Sequence, residues 1–124
     1  MNKQKNPCQR ITSFPSVISQ NVPLHDKNWF CTGGAARFFC APTTDYEFQQ
    51  ALMWGNEQQC PTHILGQGAN TLISDDGFDG LIIRPMLNDI DSAETGADHC
   101  HVTAGAGVSI HDLILSNLEH NIIG

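Results

Sequence analysis

The stretch Leu65-Gly66-Gln67-Gly68-Ala69-Asn70-Thr71-Leu72-Ile73 decides how the chain is read. Its two ends are apolar, so a pair of glycines sits between segments that seek burial. Glycines this close leave no Cβ in the way of the backbone, and the N–H groups can turn toward one point. Such a concavity suits a phosphate or pyrophosphate. Ala69 keeps the approach small. Asn70 tolerates left-handed backbone angles or donates from its amide. Gly68 is the expected point of closest approach to a ligand. The competing reading is a tight turn between two strands. The dinucleotide fingerprint fails here, because Thr71 stands where GxGxxG needs its third glycine. No Walker sequence occurs either.

Working outward, Thr62-His63-Ile64-Leu65 reads as a strand ending at Gly66, and Thr71-Leu72-Ile73 as a second strand. Ser74 to Gly80 is turn chemistry throughout. Leu81-Ile82-Ile83-Arg84 is a short strand stopped by Pro85. Upstream, Thr44 is the expected cap of a helix, with Glu47 at the capping-box spacing. Phe48, Ala51 and Leu52 form its apolar face, and Gly55 is its expected stop. Asn28-Trp29-Phe30-Cys31 reads as a strand, as does Ala36 to Ala41 before Pro42. Trp29, Phe30, Phe38 and Phe39 are expected in the core. Residues 1–20 form a polar lead-in whose first dozen residues are expected to lack order.

Downstream, residues 88–98 read as a polar connection, and His101-Val102-Thr103-Ala104 as a strand running into Gly105-Ala106-Gly107. Ser109 caps a second helix, with Asp112 at its third position. Ile110, Leu113, Ile114 and Leu118 form the face expected to be buried. The order of strands, helix, strands and helix describes an α+β domain, with glycine loops leaving strand ends.

Composition narrows the functions. The chain has 124 residues, which fits one domain, and a formal net charge of -7. That balance disfavours nucleic acid, whose phosphates require a basic patch, and disfavours an anionic membrane surface. No stretch approaches the ~20 apolar residues of a membrane span. Cysteines at 8, 31, 40, 60 and 100, with no CxxC, are expected as free thiols in a reducing cytoplasm. His99-Cys100-His101 and the pair Cys60 and His63 lack metal-site spacing, so no metal is expected. The acidic run from Asp75 to Asp79 does not fit a calcium loop. No GxSxG nucleophile elbow is present.

Taken in order, the loops resemble one family. Asn28-Trp29-Phe30 followed by Gly33-Gly34-Ala35-Ala36 resembles its opening Asn-Thr-Phe and Gly-Gly-Pro-Ala. The stretch from Leu65 to Asp75 resembles its Leu-Gly-x-Gly-Ser-Asn-Leu-Leu motif with a trailing Asp. Gly77-Phe78-Asp79-Gly80-Leu81-Ile82-Ile83 and Ala104-Gly105-Ala106-Gly107-Val108 follow in the family's order. The family is UDP-N-acetylenolpyruvoylglucosamine reductase (UDP-N-acetylmuramate dehydrogenase), and the resemblance runs from about residue 21 to residue 124. It implies an FAD-binding fold of the vanillyl-alcohol oxidase type, of which residues 21–124 are the first subdomain, a mixed sheet with flanking helices.

The resemblance implies FAD as cofactor, with Gly66, Gln67, Gly68, Ala69, Asn70 and Thr71 holding its pyrophosphate. NADPH is the implied co-substrate. The implied reaction reduces a nucleotide-sugar enolpyruvyl ether to UDP-N-acetylmuramate for peptidoglycan synthesis, in the cytoplasm. Ala69 replaces the usual serine, Trp29 the usual threonine, and Ala35 the usual proline. The chain is expected to stop before the family's catalytic residues, so none is assigned. Two alternatives stay open: the same subdomain of another flavin oxidase or hydroxylase, and a stand-alone nucleotide-binding module.

Overall fold

The structure is a computed structural model and describes residues 7–123. Lys3 and Lys5 of the lead-in lie outside the described residues. Strands β1 (Ser19–Pro23), β2 (Ala35–Cys40), β3 (Thr62–Ile64) and β4 (Phe78–Ile83) form one sheet in the order β1-β2-β4-β3. β2, β4 and β3 run parallel, and β1 closes one edge antiparallel to β2. Helix α1 (Asp45–Glu57) connects β2 to β3. Strands β5 (Ile90–Gly96) and β6 (His99–Ala104) make a separate antiparallel hairpin, and helix α2 (Ile110–Glu119) follows it.

The consecutive apolar residues of β2 and β4 reflect burial on both faces, as parallel strands require. One face carries Phe38, Cys40, Leu81 and Ile83, packed with Ala51 and Trp54 of α1. Phe38 sits edge-on to Trp54 at 5.1 Å and to Phe14 at 5.4 Å between ring centres. The other face carries Phe39 and Ile82 with Leu24, Ala36 and Leu65. Ala36 and Phe38 lie on opposite faces although two residues apart. The register with β4 shifts between them, and such a bulge reverses the alternation.

The helix caps are as read. Thr44 Oγ1 accepts from the Glu47 amide at 3.2 Å, and Ser109 Oγ accepts from the Asp112 amide at 3.0 Å. Glu47 reaches back to the Thr43 amide at 2.8 Å, one residue before the cap. That bond holds its carboxyl below the usual carboxylate range.

Several expectations are corrected. Gly55 does not end α1. It lies inside the helix, where a Cβ would come within 2.6 Å of Thr62 Oγ1, and the helix runs on to Glu57. Trp54 takes the buried place expected for Leu52, which is exposed. Asn28 to Cys31 is a turn and not a strand, because the Asn28 amide nitrogen donates to Leu24 O at 2.9 Å and Thr32 O at 2.8 Å. Local side-chain bonds of this kind compete with strand pairing. Trp29 and Phe30 on that turn are exposed, while Phe38 and Phe39 are core. Thr71 to Ile73 pairs with no strand. Phe78 to Gly80, read as turn, already belongs to β4, and residues 90–96, read as connection, form β5.

The lead-in is also more structured than expected from Pro7 onward. Pro7–Arg10 forms a short 3-10 turn, and Ile11, Phe14, Val17 and Ile18 pack against the core. Cys8 and Cys60 are joined in a disulfide, with Cα atoms 5.1 Å apart, against the expectation of free thiols. Gln9 adds a hydrogen bond to Asp79 at 3.0 Å. Cys40 is free and buried, and burial pushes its thiol up to about 11.

Candidate functional site

The parallel arrangement brings three strand ends to one edge. Cys40 pairs with Ile83, and Ile64 pairs with Ile83 on its other side. The segments that leave this edge are Ala41-Pro42, Leu65 to Asn70, and Arg84 to Met86. A ligand of a parallel sheet sits in the crevice outside the carboxyl ends of its strands. Leu65 is tied in by a bond from its amide to Ile83 O at 2.8 Å, after which the chain leaves the sheet.

Beyond that bond the loop is open. Among the described residues, none of the backbone N–H groups of Gly66 to Asn70 donates a hydrogen bond of normal geometry. Backbone donors are strong hydrogen-bonding groups and are rarely left orphaned away from water. Gly66, Gln67 and Asn70 are exposed and Ala69 is half-buried, so water or an anion reaches this part of the loop, whereas Gly68 is buried. The loop is nevertheless fixed in place, because Gly68 O accepts from the Trp29 amide at 3.0 Å. The buried Asn28 holds the turn that presents that amide.

The two glycines of the loop have different jobs. Gly68 has φ +73, and a Cβ there would lie 2.6 Å from Asn28 Cα. Its lack of a side chain serves packing on the Asn28 turn. A Cβ on Gly66 would meet nothing within 4 Å. Gly66, and not Gly68, is therefore the open position to which a ligand can come close.

A cavity of about 290 Å³ lies against this edge. Gly66, Gln67 and Ala69 line it together with Arg84, Pro85 and Met86. The rest of the lining is Ala106, Gly107, Val108, Ser109 and Ile110, from the loop that opens α2. That second loop is held by bonds from Gly105 N to Asp89 O at 2.8 Å and from Gly107 N to Leu87 O at 2.9 Å. A Cβ on Gly107 would sit 2.8 Å from Pro85 O, so its glycine serves backbone packing.

Of the expected site residues, Gly66, Gln67 and Ala69 line the cavity, while Gly68, Asn70 and Thr71 do not. Arg84 and Ser109 line it too, and the sequence reading gave neither a site role. In the sequence Arg84 reads only as the end of a strand and Ser109 only as a cap. At about 290 Å³ the cavity lies at the low end of the ~300–1,000 Å³ typical of ligand sites, room for only part of a dinucleotide. Open amide donors and an open glycine fit a pyrophosphate.

No model of a known protein family matches the chain. Curated relatives do. The chain is 40% identical over 109 residues to the UDP-N-acetylenolpyruvoylglucosamine reductase of Acaryochloris marina, which covers 82% of this chain and 35% of that protein. The reductases of Rhodopirellula baltica and Staphylococcus haemolyticus are each 29% identical, over 95% and 100% of this chain and 40% of either protein. The chain thus spans well under half the length of the relatives it matches. Among solved structures, a histidine-to-alanine mutant of cholesterol oxidase from Brevibacterium sterolicum superposes with a TM-score of 0.64. The match has 22% identity and covers 88% of this chain and 22% of that one. The chain shares the fold of that part of the oxidase, an α+β fold of the vanillyl-alcohol oxidase type.

Proposed function

The chain is a relative of the UDP-N-acetylenolpyruvoylglucosamine reductases over 35 to 40% of their length, and from that kinship we propose that it is the FAD-binding portion of such an enzyme. The observation that carries the reading is the run of unpaired backbone N–H groups from Gly66 to Asn70 at the carboxyl edge of the parallel strands. These amides, with Gln67 and the open face of Gly66, hold the cofactor's pyrophosphate. Asn70 and Thr71 complete the turn, and Gly68 anchors it to Asn28.

When bound, FAD supplies the hydride chemistry between NADPH and the enolpyruvyl ether of a UDP-sugar. The chain's residues position the cofactor and offset its charge. On this reading the product feeds peptidoglycan synthesis, and the enzyme works in the cytoplasm. No helix among the described residues is long and apolar enough to cross a membrane.

The test is a fluorescence titration of FAD against the parent chain and Gly66→Val, with circular dichroism to confirm folding. A Cβ at Gly66 meets no protein atom, so the variant folds, yet it obstructs the ligand. We expect saturable FAD binding by the parent and at least tenfold weaker binding by the variant. Equal affinities would reduce the loop to a turn. The chain alone, with FAD and the enolpyruvyl substrate, is expected not to oxidise NADPH above the rate of free flavin.

A further inference from the structure

Resting on the FAD reading above, we propose that Arg84 is the cationic anchor of the cofactor's pyrophosphate. Among the described residues, Arg84 is the basic side chain that lines this cavity, and Arg10 does not. Lys27 pairs with Asp26 at 3.2 Å, and Arg37 pairs with Asp79. The Arg84 guanidinium makes no hydrogen bond or ion pair among the described residues, and it lines the cavity at the strand ends.

The cavity wall contains no carboxylate, although the chain carries thirteen acidic residues and a net charge of -7. An acidic protein that binds an anion must exclude its own carboxylates locally, and this cavity does so. A guanidinium offers parallel N–H donors that match phosphate oxygens two at a time.

The backbone under Arg84 is fixed. Its amide donates to Cys40 O at 2.8 Å, and the Met86 amide donates to Pro42 O at 2.8 Å. Pro85 between them restricts φ, and Gly107 packs on the Pro85 carbonyl. Leu65 bonds the residue before Arg84, so the arginine leaves the sheet beside the glycine loop.

The test measures FAD affinity for the parent, Arg84→Gln and Arg84→Lys. The glutamine variant is expected to bind at least tenfold more weakly. The lysine variant, which keeps the charge and loses the fork, is expected to fall between. A second measurement needs no variant: phenylglyoxal labelling of the parent, read at Arg84 by mass spectrometry. FAD and inorganic pyrophosphate are expected to protect Arg84, and riboflavin, which lacks both phosphates, is not. Parent-like FAD affinity in Arg84→Gln, or labelling unaffected by FAD, overturns the role of Arg84 while leaving the FAD reading intact. A parent that binds no FAD overturns both.

Discussion

The four-stranded sheet and the segment that follows it obey different rules. Among the described residues, every buried hydrophobic side chain lies between Cys8 and Ile83, and none after Pro85 is buried. The sheet has apolar layers on both faces, a covering helix and a disulfide. The β5–β6 hairpin and α2 have regular hydrogen bonding and proper caps but no core of their own. α2 displays Ile110 at 73% exposure, Ile114 at 52% and Leu118 at 58%. The face expected to be buried is therefore uncovered within the described residues. A helical apolar stripe states that a face needs cover, and it does not state what supplies it. The candidate cavity draws on both regions, with Gly66, Gln67 and Ala69 from the sheet edge and Ala106 to Ile110 from the loop that opens α2.

The sharpest way to break this contrast is in the sheet. Phe38 is fully buried and holds Phe14 and Trp54 edge-on, so it ties the lead-in and α1 to β2 at once. Phe38→Ala removes the ring and leaves a cavity, at a cost of about 3–5 kcal/mol. Urea unfolding is expected to show that loss. A loss below about 1 kcal/mol would mean the two-sided core is not what holds the domain.

The disulfide gives the next effect. It spans 52 residues, and closing a loop of that length is worth about 4 kcal/mol in the chain-entropy picture, against a typical measured range of about 2–4 kcal/mol. Reduction with dithiothreitol, or Cys8→Ser, is expected to lower stability by that amount and to raise hydrogen exchange in residues 7–18 most. Cys40 does not confuse the measurement, because its buried thiol is held protonated far above neutral pH and reacts poorly. Unchanged unfolding on reduction would remove the bridge from the account.

What the sequence made legible was local. The caps at Thr44 and Ser109, the apolar run of β4 and the glycine loop between strand and sheet edge could all be read from neighbours in the chain. What escaped depended on distant partners. β1 is polar and contains Pro23, and it becomes a strand only because β2 offers it an edge. β5 is exposed along nearly its whole length, so it carries no alternation to read. The Trp-Phe-Cys run after Asn28 has strand-like composition, yet one buried asparagine turns it. The split between Gly66 and Gly68 rests on Lys27 and Asn28, some forty residues earlier in the chain. The Cys8–Cys60 pairing could not be deduced from spacing. Arg84 entered the site only when parallel pairing set its strand end beside Gly66.

The smallest expected effect is also the most direct comparison, because the same substitution can be made in both regions. Leu81 is fully buried in β4, while Leu118 on α2 is 58% exposed. Leu81→Ala should cost about 2–5 kcal/mol, from lost burial and the cavity left behind. Leu118→Ala leaves no cavity, removes little buried area and places the best helix former in the last turn. Surface changes of that kind stay within about 0.5 kcal/mol. Urea unfolding of both variants at two protein concentrations reads the contrast. If Leu118→Ala costs more than about 2 kcal/mol, the α2 face is covered in solution. A dependence of that cost on protein concentration would identify the cover as a second copy of the chain. A cost near zero at both concentrations leaves α2 as a folded but unpartnered helix, with its stability set by its caps and by the loop that clamps Gly105 and Gly107 to the segment after β4.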